Sequence, residues 1–146
     1  MATTAAITIS SDIGMGASVS KSMTLTKAGA LTDIEETTGF SRRKLAATTA
    51  VDIITMADAS LLQETADAKA AKVFVQNVGD GKGTIDKSTF VTISIGDTGG
   101  TPQQIGRLYG GDWMMFPVTG ADDKDVVAAP STNDAVVLEY VMFFEV

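Results

Sequence analysis

Histidine and cysteine are both absent from the 146 residues. Without histidine the chain lacks the commonest general base and metal ligand, and without cysteine it has neither a thiolate nucleophile nor a disulfide. Ser-His-Asp and Cys-His arrangements therefore cannot be built. A carboxylate pair or a Ser-Lys couple is compatible with the composition, but the acids and hydroxyls form no catalytic motif. We expect a protein that is not an enzyme and that uses no cofactor.

Long apolar runs and an excess of positive charge are also missing. No apolar run approaches the roughly 20 residues of a membrane helix, and Met1 to Ser10 lack the basic and apolar regions of an export signal. Eleven Lys and Arg stand against 18 Asp and Glu, which gives a formal net charge of −7. Phosphate backbones are bound by clustered Lys and Arg. We therefore predict a soluble protein with neither a membrane nor a nucleic-acid partner.

Short segments with period-two alternation dominate the chain. In Phe90 to Ile95, the apolar Val91, Ile93 and Ile95 alternate with Thr92 and Ser94, as in a strand with one wet face. Segments rich in Gly, Asp, Asn, Ser and Thr separate the strands. The pattern predicts strands at Ala5–Ser10, Ser18–Thr26, Arg42–Ala47, Asp52–Met56, Lys72–Val78, Phe90–Ile95, Gln104–Tyr109, Trp113–Val118, Val126–Ala129 and Ala135–Val146.

A single stretch, Asp58 to Ala71, has a helical composition, and it is interpreted as a short helix or as a loop crossing one end of the sheets. Many short strands with at most one short helix predict an all-β fold, either an antiparallel β-sandwich or a jelly-roll-like barrel. No linker or repeat divides the chain. We predict one domain over residues 1–146, in which residues 1–17 are a candidate for an extended N-terminal arm.

Two loops superficially resemble ligand sites. Gly79 to Thr84 has the closely spaced glycines and lysine of a phosphate loop but not its spacing, so a hairpin tip is the favoured interpretation. Asp122 to Asp125 carries three acids in a row of four residues, but the central glycine and terminal glutamate of an EF-hand are missing. We predict a solvated loop and no metal site, with calcium binding by these acids left open.

Three segments are candidates for contact with another protein. In the closing strand, one face is an unbroken apolar row from Val136 to Val146, predicted to face the core. On the other face, Val137, Val141 and Phe143 alternate with Glu139 and Glu145. Such a strip on a monomer usually marks an interaction site. The other candidates are the apolar run containing Trp113 and Met115, covered by local loops or by a second subunit, and the basic run Arg42, Arg43 and Lys44, which is either solvated or docks an acidic partner.

Five short sequence features, which we call fixed points, occur in the C-terminal half in an order that is also found in known proteins. These points are a strand ending in Asn77, a strand ending in Gly96, the segment Ile105 to Leu108 with Gly110-Gly111-Asp112, the pair Phe116-Pro117, and the closing Val137-Leu138-Glu139-Tyr140. The pattern resembles small virion proteins of tailed bacteriophages over roughly residues 40–146. The resemblance implies a β-sandwich or jelly-roll-like module, and it supplies no catalytic residues.

The function implied by this resemblance is structural. We expect a virion protein made in the host cytoplasm, most readily a capsid decoration (cement) protein on the capsid exterior that packs against the major capsid protein as a homo-oligomer, a trimer or a dimer. Acidity favours an exterior position, because packaged DNA would repel this chain. A tail, neck or fibre component is the first alternative. A carbohydrate-binding β-sandwich is the second, and the low aromatic content of 6% counts against it.

Overall fold

A computed structural model describes residues 3–9, 19–25, 36–37, 39–56, 70–80, 84, 87–119 and 123–144 of the chain. These residues form eleven strands and, within those ranges, no helix. The strands are β1 (Thr3–Ile9), β2 (Val19–Leu25), β3 (Glu36–Thr37), β4 (Ser41–Leu45), β5 (Val51–Ile54), β6 (Ala70–Asn77), β7 (Phe90–Ile95), β8 (Gln103–Tyr109), β9 (Trp113–Thr119), β10 (Val126–Pro130) and β11 (Val136–Phe144).

Strands β4 to β11 form two antiparallel sheets of four strands each. Sheet I has the order β4-β11-β6-β9, with β3 extending its first edge beside the end of β11, and sheet II has the order β5-β10-β7-β8. Eight strands in two sheets with this alternating order form a jelly roll, in which the chain passes back and forth between the sheets. The prediction of an all-β sandwich of the jelly-roll type is confirmed.

The connections of a jelly roll correct one expectation about turns. Of the consecutive strands from β4 to β11, β7 and β8 alone are paired with each other, and every other connection crosses between the sheets. The segment that begins at Gly79 joins β6 of sheet I to β7 of sheet II, so it is not a hairpin tip. Within it, the amide of Asp80 donates to the carbonyl oxygen of Thr84 over 3.1 Å, and the carboxylate of Asp80 accepts from the amide of Thr84.

The core lies between the two sheets and is made of aliphatic side chains, as the alternation predicts. Sheet I contributes the fully buried Val73, Val75, Leu138 and Met142, and sheet II contributes Val91, Ile93, Val126 and Ala128. The side chain of Met114 in β9 lies against Gly106 of β8, which has no side chain of its own. A Cβ at this position would stand 2.7 Å from the terminal methyl carbon of Met114. Glycine therefore lets the Met114 side chain enter the core beneath β8.

Asn77, at the end of β6, joins the two sheets through polar contacts inside the fold. The residue is 1% exposed, its side-chain amide donates to the carbonyl oxygen of Leu108 over 3.0 Å, and its side-chain oxygen accepts from the amide of Gly79 over 2.9 Å. Its backbone exchanges hydrogen bonds with the turn between β8 and β9, at Gly111 and Asp112. Every polar group of Asn77 is thus satisfied, which is what allows an amide to lie in an apolar interior.

Strands β1 and β2 form a two-stranded antiparallel sheet of their own, with seven paired positions from Thr3↔Leu25 to Ile9↔Val19. Among the strands that the structure describes, neither of them pairs with a strand of the jelly roll. The prediction that residues 1–17 are an extended arm stays a prediction, as does that of a single domain. The helical stretch predicted at 58–71 lies outside the described residues except for its last two, which begin β6.

Candidate functional site

The outer face of sheet I brings together the segments predicted to contact another protein. β11 lies in the middle of this sheet, between β3 and β4 on one side and β6 on the other. Val136, Leu138, Tyr140 and Met142 face the core, so the predicted core side of the closing strand is confirmed for these four residues. Phe144 and Val146, the remaining members of the predicted row, have no described side chains.

Two residues on the other face of β11 are buried in the single chain, whereas a solvent-exposed apolar strip would require them to be exposed. Val137 and Val141 are 5% and 2% exposed in the single chain, and Phe143 is half-buried. Val141 lies directly opposite Phe74 of β6, and cross-strand neighbours in such a pair are in contact. Val137 is opposite Lys44 and exchanges backbone hydrogen bonds with Val78 and Gly79. The expectation that both valines are open to solvent in a monomer is therefore wrong.

Instead, three rings on this face form what we call the aromatic row: the exposed Phe40 and Trp113, with the half-buried Phe74 between them. The ring of Phe40 meets that of Phe74 edge-on, with centroids 6.1 Å apart, and Phe74 stacks on Trp113 with centroids 6.0 Å apart. Phe40 is 71% exposed and Trp113 45% exposed. Such ring pairs add about 0.5–1.5 kcal/mol each beyond the apolar area they bury. The row is therefore an ordered feature of the surface.

The position of β9 explains how one apolar run covers the core and also reaches the surface. Met114 and Phe116 pack against the core, and Val118 belongs to it. Trp113 and Met115 alternate with them and lie on the outer face, beside Gln76 and Phe74 of β6 respectively. Met115 is half-buried and Trp113 is exposed. Both candidate contact residues of this run are thus on the same face as the aromatic row.

The basic run on β4 is divided between the two faces of its strand. Arg42 lies opposite Glu139 with a nitrogen to oxygen distance of 3.7 Å, and Lys44 lies opposite Val137. Arg43, between them, is opposite the core residue Leu138, and its guanidinium donates to the carbonyl oxygen of Asp52 over 2.6 Å. Arg43 therefore ties β4 to β5, whereas Arg42 and Lys44 border the outer face of sheet I.

Sheet II carries a smaller aromatic cluster on its own outer face. The ring of Phe90 lies 5.4 Å from that of Tyr109, and the guanidinium carbon of Arg107 lies 4.6 Å from the Phe90 centroid. A cation over an aromatic face gains about 0.5–1 kcal/mol at an exposed site. Here the Arg107 guanidinium covers the ring of Phe90. The outer face of sheet II therefore offers less uncovered aromatic surface than the aromatic row does.

In the acidic segment Asp122 to Asp125, residues 123–125 are described, and their contacts are with other residues of the protein itself. The Asp125 carboxylate is buried and accepts a hydrogen bond from the amide of Met56 over 2.7 Å. Asp123 pairs with Lys124, and the hydrogen bond from Lys124 lowers the pKa of Asp123. Over the described ranges, no three acidic residues come together as metal ligands, and no helix is long and apolar enough to cross a membrane. Asp122 lies outside those ranges.

Sequence reasoning missed Phe40 and Phe74 as surface residues. Phe40 falls between predicted strands, where alternation gives no information about which side of a sheet it reaches. Phe74 was assigned to a strand, but its face follows from the pairing of β6 with β11 and β9. The signal that was available is the composition itself, since rings are few in this chain and Trp113 is the only tryptophan.

The arrangement is suited to protein contact. Trp, Tyr and Arg are the residues that most often dominate protein interfaces, and the aromatic row is bordered by Arg42. A flat platform for a sugar chain would require coplanar rings, whereas Phe40 is tilted by 66° against Phe74. The geometry of the row therefore favours a shaped protein surface over the carbohydrate alternative.

We predict that the protein does not bind duplex DNA at physiological salt. Arg43 is engaged with Asp52 and Arg42 with Glu139, so the β4 run does not present three free cations to a phosphate backbone. A fluorescence titration with a labelled duplex should give no saturable binding up to the millimolar range. Micromolar binding that weakens steeply with added salt would contradict the prediction.

Comparisons with known proteins identify no family for this chain. No family model matches the chain, and no curated protein matches it. One similar solved structure comes from work describing Bacillus endospore appendages as a novel family of disulfide-linked pili. The identity is 19%, the match covers 76% of this chain and 89% of that one, and the TM-score is 0.44. This likeness carries no functional conclusion, and the present sequence has no cysteine with which to form such links.

Proposed function

We propose that this chain is a non-enzymatic structural protein of a tailed-bacteriophage virion, acting as a capsid decoration protein on the outside of the head. The observation that supports a structural role most directly is the aromatic row, in which the exposed Phe40 and Trp113 both contact the ring of Phe74 on the outer face of sheet I. Such a surface on a soluble protein usually marks a contact with another protein. The role requires only burial of area between subunits, and no chemistry.

Two further features support the virion assignment. The jelly roll is an architecture used by viral capsid proteins, although a fold by itself does not determine a function. The fixed points of the resemblance also occupy structural positions in this fold: Asn77 joins the sheets, and its backbone exchanges hydrogen bonds with the turn at Gly111 and Asp112. On this proposal the partners are major capsid subunits and further copies of the chain, and attachment at several contacts gives strong binding from individually modest ones.

The test is the location of the protein in purified particles. Tailed phage particles from the source culture would be analysed by quantitative mass spectrometry and imaged by cryo-electron microscopy. We expect many copies per particle and density repeated over the head exterior. Density confined to the tail, neck or fibres would replace decoration by that alternative, and absence of the chain from purified particles would contradict a virion role altogether.

A further inference from the structure

The β1–β2 hairpin has two chemically different faces. Its register places Thr3, Ala5, Ile7 and Ile9 on the same side as Val19, Lys21, Met23 and Leu25, so all but Thr3 and Lys21 on this side are apolar positions. The positions on the other side are Thr4, Ala6 and Thr8 with Ser20, Ser22 and Thr24. By register, one face of the hairpin thus carries mainly apolar residues, and the other carries Ser, Thr and Ala.

An isolated two-stranded sheet is at best marginally stable in water, because it has no third strand or packed face to offset the entropy of ordering it. In the described part of the chain, the hairpin pairs only with itself. Its apolar face therefore needs a covering surface. A partner that packs against the apolar face would leave the Ser and Thr residues of the other face in water. Such packing buries apolar residues without burying unpaired polar groups.

The aromatic row is a surface of matching character. It lies on the outer face of sheet I, whose edge strand β3 is the next strand after the hairpin in the chain. In the single chain the row is uncovered, with Phe40 71% and Trp113 45% exposed. A strand of seven residues is about 24 Å long at 3.4 Å per residue, so a hairpin lying across the sheet extends past both ends of the row. Phe40 and Trp113 thus leave an exposed apolar surface on the single chain.

We propose that the apolar face of the β1–β2 hairpin of one copy docks on the aromatic row of a second copy, so that the protein assembles by exchange of its N-terminal hairpins. The ten residues 26–35 between β2 and β3 reach about 33–36 Å when extended, which is several times the roughly 10 Å between packed sheets. A neighbouring copy is thus within reach. This exchange deepens the proposed structural role by naming the contact between copies, which is distinct from the contact with the capsid.

The absence of cysteine makes a direct test possible, because each introduced thiol is then the only one in its chain. Met23→Cys places a thiol among the apolar positions of the hairpin, and Gln76→Cys places one opposite Trp113, beside the aromatic row. The two full-length variants would be mixed in equal amounts and oxidised. We expect a disulfide-linked heterodimer of Met23→Cys with Gln76→Cys as the main product on non-reducing gels.

The matched control is Gln104→Cys, an exposed glutamine on edge strand β8 of sheet II. Mixed with Met23→Cys, it should give several-fold less heterodimer than Gln76→Cys does. Equal yields from the two mixtures would overturn the proposal. It would also be overturned if a chain carrying both Met23→Cys and Gln76→Cys closed only an internal disulfide, because the hairpin would then cover its own row.

Light scattering provides an independent readout that does not depend on cysteine chemistry. Phe40→Asp on the row and Ile7→Asp on the hairpin should each lower the oligomeric mass of the full chain, and the double variant should be no worse than the single ones. Ile105→Asp, on the exposed edge of sheet II, should leave the mass unchanged. An unchanged mass in both Phe40→Asp and Ile7→Asp would contradict hairpin exchange. These outcomes concern the purified chain, so they are independent of where it is found in particles.

Discussion

Leu138→Ala is expected to lower the free energy of unfolding by about 2–5 kcal/mol. Leu138 is fully buried in the middle of β11, with Asn77 of β6 on one side and Arg43 of β4 on the other. Both neighbouring strands hold the backbone in place, so the core has little freedom to collapse into the space left by the lost carbons. The lost transfer free energy and the cavity then add.

Urea unfolding followed by tryptophan fluorescence would measure this effect, because Trp113 is the only tryptophan. The midpoint should fall by on the order of 1 M or more while the slope stays unchanged. Ile105→Ala is the control: Ile105 is 45% exposed at the bulge of β8, and its truncation should change stability by no more than about 0.5 kcal/mol. Equal losses in the two variants would mean that Leu138 is not a core residue of this fold.

Asn77→Ala should lower the free energy of unfolding by a comparable amount, because it removes hydrogen bonds to buried polar groups. The substitution leaves the carbonyl oxygen of Leu108 and the amide of Gly79 without their side-chain partner in a buried position. Each buried group left unsatisfied costs about 1–3 kcal/mol. Thermal melting should therefore show a large fall in the melting temperature. Asn133→Ala removes a single exposed hydrogen bond to the amide of Thr48 and serves as the control, with an expected effect well below that of Asn77→Ala.

Asn77→Asp separates the two hydrogen bonds of this residue. An ionised carboxylate still accepts from the amide of Gly79, but it faces the carbonyl oxygen of Leu108 without a proton to donate. Burial raises the folded-state pKa of such a carboxyl above its unfolded value of about 4. The variant should therefore be most stable below pH 4 and lose stability as pH rises through the folded-state pKa. Pairs of melts near pH 4 and pH 7 would reveal this, and a variant equally stable at both would contradict it.

The strands were predictable because alternation reports directly on one buried face. Phe90–Ile95 agrees with β7 at both ends, and the other predicted strands differ from those observed by at most two residues at either end. β3 was missed, since two residues are too few to show a period. Strand order was beyond the same reasoning, because alternation states which side chains share a face and not which strand lies alongside.

The candidate site was predictable in part. The pattern placed Val137, Val141, Trp113 and Met115 among the contact residues, and the pairing of β11, β6 and β9 brings them onto one face. Val141 lies opposite Phe74, which is 67 positions earlier in the chain and becomes its neighbour only through strand pairing. The inward position of Arg43 follows likewise from its partner Leu138. Long-range neighbours of this kind leave no local signal.

Sheet I places β11, the last of the described strands in chain order, between strands that precede it by many residues. Among the described strands, β4 and β6 do not pair with each other, and both pair with β11, which ends at Phe144. A nascent chain therefore cannot complete this sheet until nearly all of these residues have left the ribosome. Pairing over such long sequence separations belongs to the slow class of folding reactions, with times of milliseconds to seconds. During that interval the edges of β4 and β6 are open to other chains, so the rate of synthesis and the local concentration together set the yield of folded protein.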